Sequence, residues 1–331
     1  MLLSSKTCFR TLLAALSLCA AAMVCHAATC TSQAELSAQD RNSLTASAGQ
    51  ILTDVMAQNV SALQSALLAS QASAWDSIRG GVEDAAPLLK GGQVQLRNLY
   101  LLDTSASAGP ADTQFFCSSA NGSLTVTINL RALPPGRYGL VLADAVGSAQ
   151  AAQLGLILAW DSAASGWKMA GLFVRQGAFA GRDGIWYWTH GRELANADPW
   201  VAWYSYDAAR YLLLPVDFLS SPNLEKLLQE QSQIQNPPQS SLPLSLTSGD
   251  RTWKVETVTL DASLHEPDLG IAYESSGVTD PAALRTEAVS VLSAFLKARP
   301  GVRANFHGLW AYAMRDGKKT AVMELPMAQI P

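Results

Sequence analysis

The first half of the sequence changes from a helical to a strand-like pattern of hydrophobic positions. Between residues 44 and 67 apolar residues recur at intervals of three and four, which places them on one stripe of a helix. They are Leu44, Ala48, Ile51, Leu52, Val55, Met56, Leu63 and Leu67. We expect Gly80-Gly81 to end this helical stretch and a shorter helix to cover Val82 to Leu89 before Gly91-Gly92. The stripe predicts that the long helix packs on an apolar surface.

Residues 93 to 175 favour an antiparallel sheet whose strands are separated by turn residues. The predicted strands are Gln93 to Asp103, Thr113 to Ser119, Ser123 to Leu130, Arg137 to Ala143, Ala151 to Trp160 and Trp167 to Arg175. Asn121-Gly122 is the dipeptide most typical of a two-residue hairpin turn. With that turn at the centre, Phe115 pairs with Ile128 and Cys117 with Val126, so all four side chains share one buried face.

Residues 185 to 214 are rich in aromatic side chains and predict a pair of helices. Four of the nine Trp and four of the eight Tyr of the chain are concentrated here: Trp186, Tyr187, Trp188, Trp200, Trp203, Tyr204, Tyr206 and Tyr211. The helices are predicted over Trp186 to Asn196 and Pro199 to Leu214, with Asp198 as the N-cap of the second. Helical spacing indicates that most of these rings are core residues.

The last part of the chain predicts a second, smaller α+β unit. Residues 236 to 250 are rich in Pro and Ser and are typical of a linker. Strands are predicted over Thr252 to Asp261 and Leu269 to Glu274, followed by a helix over Pro281 to Ala298 and a terminal hairpin.

Asp316-Gly317 is the predicted turn of that terminal hairpin. It pairs Trp310 with Met323 and Tyr312 with Ala321. The face expected to pack on the helix then carries Phe306, Trp310, Tyr312, Met314, Met323, Leu325 and Met327.

This order of elements indicates the α+β class, with a long helix packed on an antiparallel meander sheet, a helical hairpin and a small C-terminal α+β domain. The first part, with its late hairpin over residues 151 to 175, resembles the cystatin-like and NTF2-like superfamilies. That resemblance implies a curved sheet whose concave face serves binding. The helical pair resembles one tetratricopeptide (TPR) hairpin, since Ala202, Tyr206 and Ala209 match the small, aromatic and small positions of its second helix.

The sequence therefore divides into five predicted segments. These are a signal peptide (1–27), a cystatin- or NTF2-like domain (28–180), a TPR-like hairpin region (181–235), a Pro/Ser-rich linker (236–250) and a small α+β domain (251–331). As a whole the chain resembles secreted bacterial proteins, and this resemblance implies no particular activity.

The N-terminus indicates export from the cytoplasm. Lys6 and Arg10 precede an apolar run from Thr11 to Val24, and residues 25 to 27 form a small-x-small cleavage site. The run is shorter than the about 20 apolar residues that span a bilayer as a helix. We expect a secreted or periplasmic protein that is not transmembrane after signal removal. A lipid anchor is disfavoured because no cysteine follows the small residue that a lipoprotein signal requires.

Charge and cysteine content narrow the expected partners. Loss of Lys6 and Arg10 with the signal peptide reduces 23 basic residues to 21 against 27 acidic residues, a net charge of −6. Such an acidic chain is a poor nucleic-acid binder, because neutralising phosphates needs a basic face. Only Cys30 and Cys117 remain after processing. Two cysteines in an oxidising compartment predict one disulfide, with two free thiols as the alternative.

Candidate chemistry is sparse. The common hydrolase, metalloprotease, NTPase and dinucleotide motifs are missing from the sequence, and no cofactor or metal is predicted. His190 and Glu193 share a helix face and could pass a proton, although a surface contact is the simpler interpretation. His307 lies diagonal to Glu324 in the predicted hairpin, where a solvated contact is expected.

The function expected from the sequence is therefore binding. We expect a non-enzymatic protein-interaction module of the cell envelope, with an unidentified envelope protein or small ligand as its partner. The alternative is a small-molecule or carbohydrate-binding protein that uses the concave sheet and exposed aromatic rings. The rings expected to be exposed are Trp188, Trp200 and Tyr204. An enzyme that uses His190 and Glu193 is the third hypothesis.

Overall fold

A computed structural model describes residues 28–118, 122–148 and 150–331 of the chain. The predicted signal peptide and the Asn of the Asn121-Gly122 turn lie outside these residues. The described chain is an α+β protein with three main sheets and helices packed against them. Within the described ranges, no helix has the length and apolar character needed to span a membrane.

The first unit contains a five-stranded sheet with helices on one side and a β-hairpin on the other. Its elements are β1 (Thr29–Ser32), α1 (Ala38–Met56), α2 (Val60–Ala66), α3 (Trp75–Leu89), β2 (Gln93–Asp103), β3 (Ala111–Ser118), β4 (Thr125–Leu133), β5 (Arg137–Val146), β6 (Ala152–Asp161) and β7 (Gly166–Gln176). The strand order of this first sheet is β1-β2-β5-β6-β7, and every pair in it is antiparallel.

The predicted long helix is present with different bounds. It is interrupted after Met56, where Gln58 adopts a φ of 55°, so that α1 and α2 are separate helices. The expectation that Gly80-Gly81 ends a helix is wrong, because α3 runs through both glycines. Burial of Val82, Ala85 and Leu89 against the sheet offsets the helix penalty of about 1 kcal/mol per glycine.

The two faces of the first sheet are both covered. Leu99, Leu101 and Val141 pack against the helices, whereas the alternating residues Tyr100 and Leu140 face the other way. On that second side lies a smaller sheet of order β10-β4-β3, in which β10 (Leu219–Ser220) comes from later in the chain. The expected open concave face is therefore absent from the described residues, because the β3–β4 hairpin covers it.

The β3–β4 hairpin has the predicted register. Phe115 pairs with Ile128 and Cys117 with Val126, and all four side chains are buried between the two sheets. Cys117 is bonded to Cys30 of β1, which confirms the predicted disulfide. The bond joins the edge strand of the first sheet to the hairpin that covers it.

The helical hairpin follows the first sheet. Its elements are the short strands β8 (Ala178–Phe179) and β9 (Arg182–Asp183), then α4 (Gly184–Leu194), α5 (Pro199–Leu213) and α6 (Pro222–Ser232), with β10 before α6. Asp198 caps α5 as predicted, since its Oδ1 accepts from the backbone N–H of Val201 at 3.1 Å. A Cβ atom on Gly191 would lie 2.9 Å from the ring of Tyr206, so only glycine lets α4 approach α5 this closely.

The third sheet forms the C-terminal part of the chain. Its elements are β11 (Leu244–Ser248), β12 (Arg251–Asp261), β13 (Asp268–Glu274), α7 (Pro281–Ala298), the short helix α8 (Val302–Asn305), β14 (Gly308–Arg315) and β15 (Lys318–Pro326). The strands follow in that order in the sheet. Within this sheet only β13 and β14 are parallel, and they are joined by the crossover through α7.

The prediction of a linker over residues 236 to 250 is wrong in part, since residues 244 to 248 form an edge strand that pairs with β12.

The terminal hairpin differs from its predicted register. Tyr312 pairs with Ala321 as expected, but a bulge after Ala311 shifts the rest, so Trp310 faces Glu324 instead of Met323. Leu309, Ala311 and Ala313 pack against α7, together with Phe306, Met323, Leu325 and Met327 from the predicted face. The assignment of Trp310, Tyr312 and Met314 to that face is wrong. The rings of Trp310 and Tyr312 stack on each other on the opposite side of the sheet, where Tyr312 lies over Gly270.

Candidate functional site

The aromatic residues predicted to be exposed are buried. Trp188, Trp200 and Tyr204 have relative exposures of 9%, 6% and 1%, so they do not form a surface stacking platform. Trp200 packs on Phe295 of α7 at 5.9 Å between ring centroids. The Tyr204 hydroxyl donates to the Val258 carbonyl at 3.0 Å, and burial raises the pKa of that hydroxyl. The reason is tertiary, because α5 packs directly on the third sheet.

Trp188 has a different environment from the other two. Its Nε1 donates to Oε2 of Glu230 at 2.7 Å, and the guanidinium of Arg192 lies 4.4 Å from its ring centroid. Arg192 also donates to both carboxylate oxygens of Glu230, at 2.7 and 2.9 Å, which holds the pKa of Glu230 below its usual value. These contacts join α4 to α6 and fix the indole, while one part of Trp188 lines a groove.

That groove lies between the first sheet and the helical hairpin. Two adjoining cavities of about 510 and 290 Å³ share Arg97, Ile185 and Leu213, and Trp188 and Leu224 line the smaller one. We call these two cavities together the hairpin groove. Large apolar side chains are also exposed along it: Leu124 at 37%, Val146 at 42% and Ile185 at 54%.

Arg97 lies at the centre of the hairpin groove because of a β-bulge. The register between β2 and β5 shifts between Leu96 and Asn98, which leaves Arg97 as the additional residue. Its Nη1 lies 3.2 Å from Oδ1 of Asp144, and its Nη2 donates to Oε1 of Gln153 at 3.2 Å. A bulge commonly redirects a side chain, and here it gives the groove a fixed hydrogen-bond donor between apolar walls.

His190 and Glu193 form the loose contact expected from their spacing. His190 Nδ1 and Glu193 Oε2 are 4.0 Å apart, and the carboxylate of Glu193 is mostly exposed. The other ring nitrogen, Nε2, bonds to Oδ1 of Asn305 at 2.7 Å, and the ring stacks on Trp186. In the described ranges no third His, Cys, Asp or Glu joins them as a possible metal ligand. The hydrogen bond between His190 and Asn305 connects α4 to α8.

His307 and Glu324 come together with a third residue that the sequence analysis missed. Asp268, at the start of β13, is fully buried, and its Oδ1 accepts from His307 Nδ1 at 2.9 Å. The expected solvated contact is therefore wrong. Burial, followed by the charge of Asp268, raises the pKa of Glu324, and burial also raises the pKa of Asp268. Asp268 begins β13 and His307 directly precedes β14, and these two strands pair in parallel. Their matching positions are a signal that could have placed the two residues together.

Comparison of the chain with protein-family models, curated proteins and solved structures finds no match. The resemblances to cystatin-like, NTF2-like and TPR proteins therefore stay predictions, and resemblance in fold does not by itself assign a function.

Proposed function

We propose that this chain is an exported binding protein that takes an apolar segment of a partner protein of the cell envelope into the hairpin groove. One observation carries the proposal. Seven large hydrophobic side chains are exposed among the described residues, and three of them, Leu124, Val146 and Ile185, lie along this groove. Exposed apolar side chains that cluster in a concave surface are typical of an interaction site.

The polar groups of the groove favour binding over catalysis. Arg97 contacts both Asp144 and Gln153, and the amide of Gln153 also donates to the Leu212 carbonyl. The guanidinium of Arg97 has donors beyond these two contacts, and they can bond to main-chain carbonyls of a bound segment. An apolar segment would thus be held by its side chains on the walls and by its backbone at Arg97.

A small apolar molecule is the second candidate for the same groove. The larger cavity, of about 510 Å³, is within the range of about 300 to 1,000 Å³ that is typical of small-molecule pockets. The carbohydrate hypothesis loses its basis, because the rings on which it depended are buried.

The proposal includes export of the protein to a secreted or periplasmic location. The Cys30–Cys117 bond is typical of proteins that fold in an oxidising compartment.

Site-specific photo-crosslinking in the source cells tests the groove directly. A photoreactive residue is placed at position 185 or 146, with position 264 as the matched control. Ile185 and Leu264 are similarly exposed, at 54% and 51%, but Leu264 does not line the groove. We expect one and the same protein adduct from positions 185 and 146, absent from position 264. We also expect Ile185→Asp, but not Leu264→Asp, to abolish that adduct when the probe is at position 146.

Equal adducts from positions 185 and 264 would contradict the groove as the binding site. If positions 185 and 146 give no protein adduct, native mass spectrometry of the chain isolated from its source decides between the candidates. A bound small molecule that is lost in Ile185→Asp would replace the protein segment as the ligand. The absence of both would overturn the proposal.

A further inference from the structure

Three potential metal ligands meet at one end of the third sheet. Strands β13 and β14 are parallel, and Leu269 pairs with Leu309. Asp268, the first residue of β13, and His307, which directly precedes β14, therefore lie at the same end of the sheet. Strand β15 adds Glu324 from the other side of β14. One donor atom from each of these three side chains lies within 4.8 Å of the others.

Gly308 makes room for the two carboxylates. A Cβ atom at this position would lie 3.0 Å from Oδ1 of Asp268 and would collide with Oε1 of Glu324. The backbone N–H of Gly308 also bonds to the Asp268 carboxylate. The chain therefore holds two acidic side chains at a point where any larger residue would separate them.

Both carboxylates have buried oxygens that lack a protein partner. Asp268 Oδ2 and Glu324 Oε1 accept no hydrogen bond from any described residue. The side chain of Asp268 is fully buried, so water does not replace the missing donor from outside. Buried polar atoms are nearly always bonded, and one left alone costs about 1 to 3 kcal/mol. A cation bound between the two side chains would satisfy both oxygens.

The acidic side chains around this cluster also favour a bound cation. The carboxylate of Asp261 lies near that of Asp268, and the carboxylate of Glu266 lies near the ring of His307. This adds two carboxylates to those of Asp268 and Glu324. An additional cation is the simplest means of balancing such a group of acids.

We propose that Asp268, His307 and Glu324 bind a divalent transition-metal ion of the zinc class. Zinc takes imidazole nitrogen and carboxylate oxygen as ligands at about 2.0 to 2.2 Å, commonly with three protein ligands and one open position. His307 is 40% exposed, which leaves one side of the site open to a fourth ligand from solvent. Calcium fits poorly, because it requires about six to eight oxygen ligands.

The ligand atoms need only a small adjustment to hold the ion. A tetrahedral ion with ligands at about 2.1 Å places them about 3.4 Å apart. The ligand atoms all lie within 4.8 Å of one another, so no separation must shorten by more than roughly 1.4 Å. Rotation of the Glu324 side chain can supply this movement, because its strand is at the edge of the sheet.

Zinc titration of the purified chain, with its disulfide intact and any affinity tag removed, tests the site. After dialysis against a chelator, binding of Zn²⁺ is followed by calorimetry for the wild type, Glu324→Gln, His307→Gln and the control His190→Gln. We expect one Zn²⁺ per chain in the wild type and in His190→Gln. We expect about 100-fold weaker binding in Glu324→Gln and His307→Gln, since each lacks one of three ligands. Circular dichroism of the metal-free variants verifies that they are folded.

Cobalt and calcium give independent evidence. Co²⁺ should show visible absorption of the intensity typical of four-coordinate sites, and Glu324→Gln should remove it. The proposal is overturned if the wild type binds no Zn²⁺, or if Glu324→Gln and His307→Gln bind it as tightly as the wild type does. Tight binding of Ca²⁺ without binding of Zn²⁺ would overturn the ion class.

Discussion

Cys30 and Cys117 are bonded across a separation of 87 residues, and their bond connects two different sheets. Cys30 lies in β1, the edge strand of the first sheet, and Cys117 lies in β3, which covers the second face of that sheet. The three helices of the first unit lie in the chain segment that the bond closes. The disulfide thus restricts the unfolded chain over the segment whose helices form the N-terminal core on folding.

Removal of the disulfide should therefore lower stability substantially. For Cys30→Ala/Cys117→Ala we expect the free energy of unfolding to fall by about 3 to 5 kcal/mol, because a loop of this length gains much conformational entropy when it is opened. Urea unfolding of the double variant and the wild type measures the difference. A loss below about 1 kcal/mol would show that the N-terminal core holds β1 without the bond.

Gly191 and Gly81 should respond in opposite directions to the same substitution. Gly191→Ala places a methyl group against the buried ring of Tyr206, so we expect a loss of about 1 to 3 kcal/mol. Gly81→Ala in α3 meets no atom within 4 Å and improves helix propensity, so we expect a gain of up to about 1 kcal/mol. Urea unfolding compares both variants with the wild type. If Gly191→Ala also gained stability, the close approach of α4 to α5 would be wrong.

Glu230→Gln should give a stability loss that depends on pH. Arg192 lowers the pKa of Glu230 in the folded protein. A carboxylate of this kind adds to the free energy of unfolding at pH values above its unfolded pKa, and this stabilisation is lost as the pH falls through the lower folded pKa. At pH 7 we expect a loss of about 1 to 2 kcal/mol, because the charged bonds to Arg192 and Trp188 are weakened. Below about pH 4 the difference from the wild type should narrow.

Denaturant unfolding at several pH values verifies this dependence. Glu193→Gln is the matched control, because Glu193 is 68% exposed and its contact with His190 is long. We expect that variant to differ from the wild type by less than about 0.5 kcal/mol at every pH. A loss in Glu230→Gln that does not change with pH would contradict the assigned ion pair.

The two hairpins show where local sequence was sufficient and where it was not. The β3–β4 register was predicted correctly from Asn121-Gly122 and the alternation around it. The register predicted from Asp316-Gly317 was correct only between that turn and Tyr312. Beyond Tyr312 a bulge shifts the pairing of β14 with β15 by one residue. A one-residue shift moves side chains to the other face, and so Trp310 lies on the side opposite to the predicted one.

The candidate sites depended on contacts between distant parts of the chain. Arg97 enters the groove because of a bulge against β5, and Asp268 meets His307 through parallel pairing across a whole helix. Trp200 and Tyr204 are of residue types that are common at binding surfaces, but here the third sheet covers both side chains. Whether an aromatic side chain binds a partner or fills the core is decided by what packs on it, and periodicity does not contain that information.

The α+β class, most helix and strand positions, the hairpin register around Cys117 and the disulfide could all be predicted from the sequence, because each depends on periodicity, local turn chemistry or the count of cysteines. Other features became evident only once the chain was folded. These are the cover on both faces of the first sheet, the position of Gly80-Gly81 within a helix, and the convergence of Asp268, His307 and Glu324. They arise from burial and pairing between residues far apart in sequence, whose free energy outweighs local preferences.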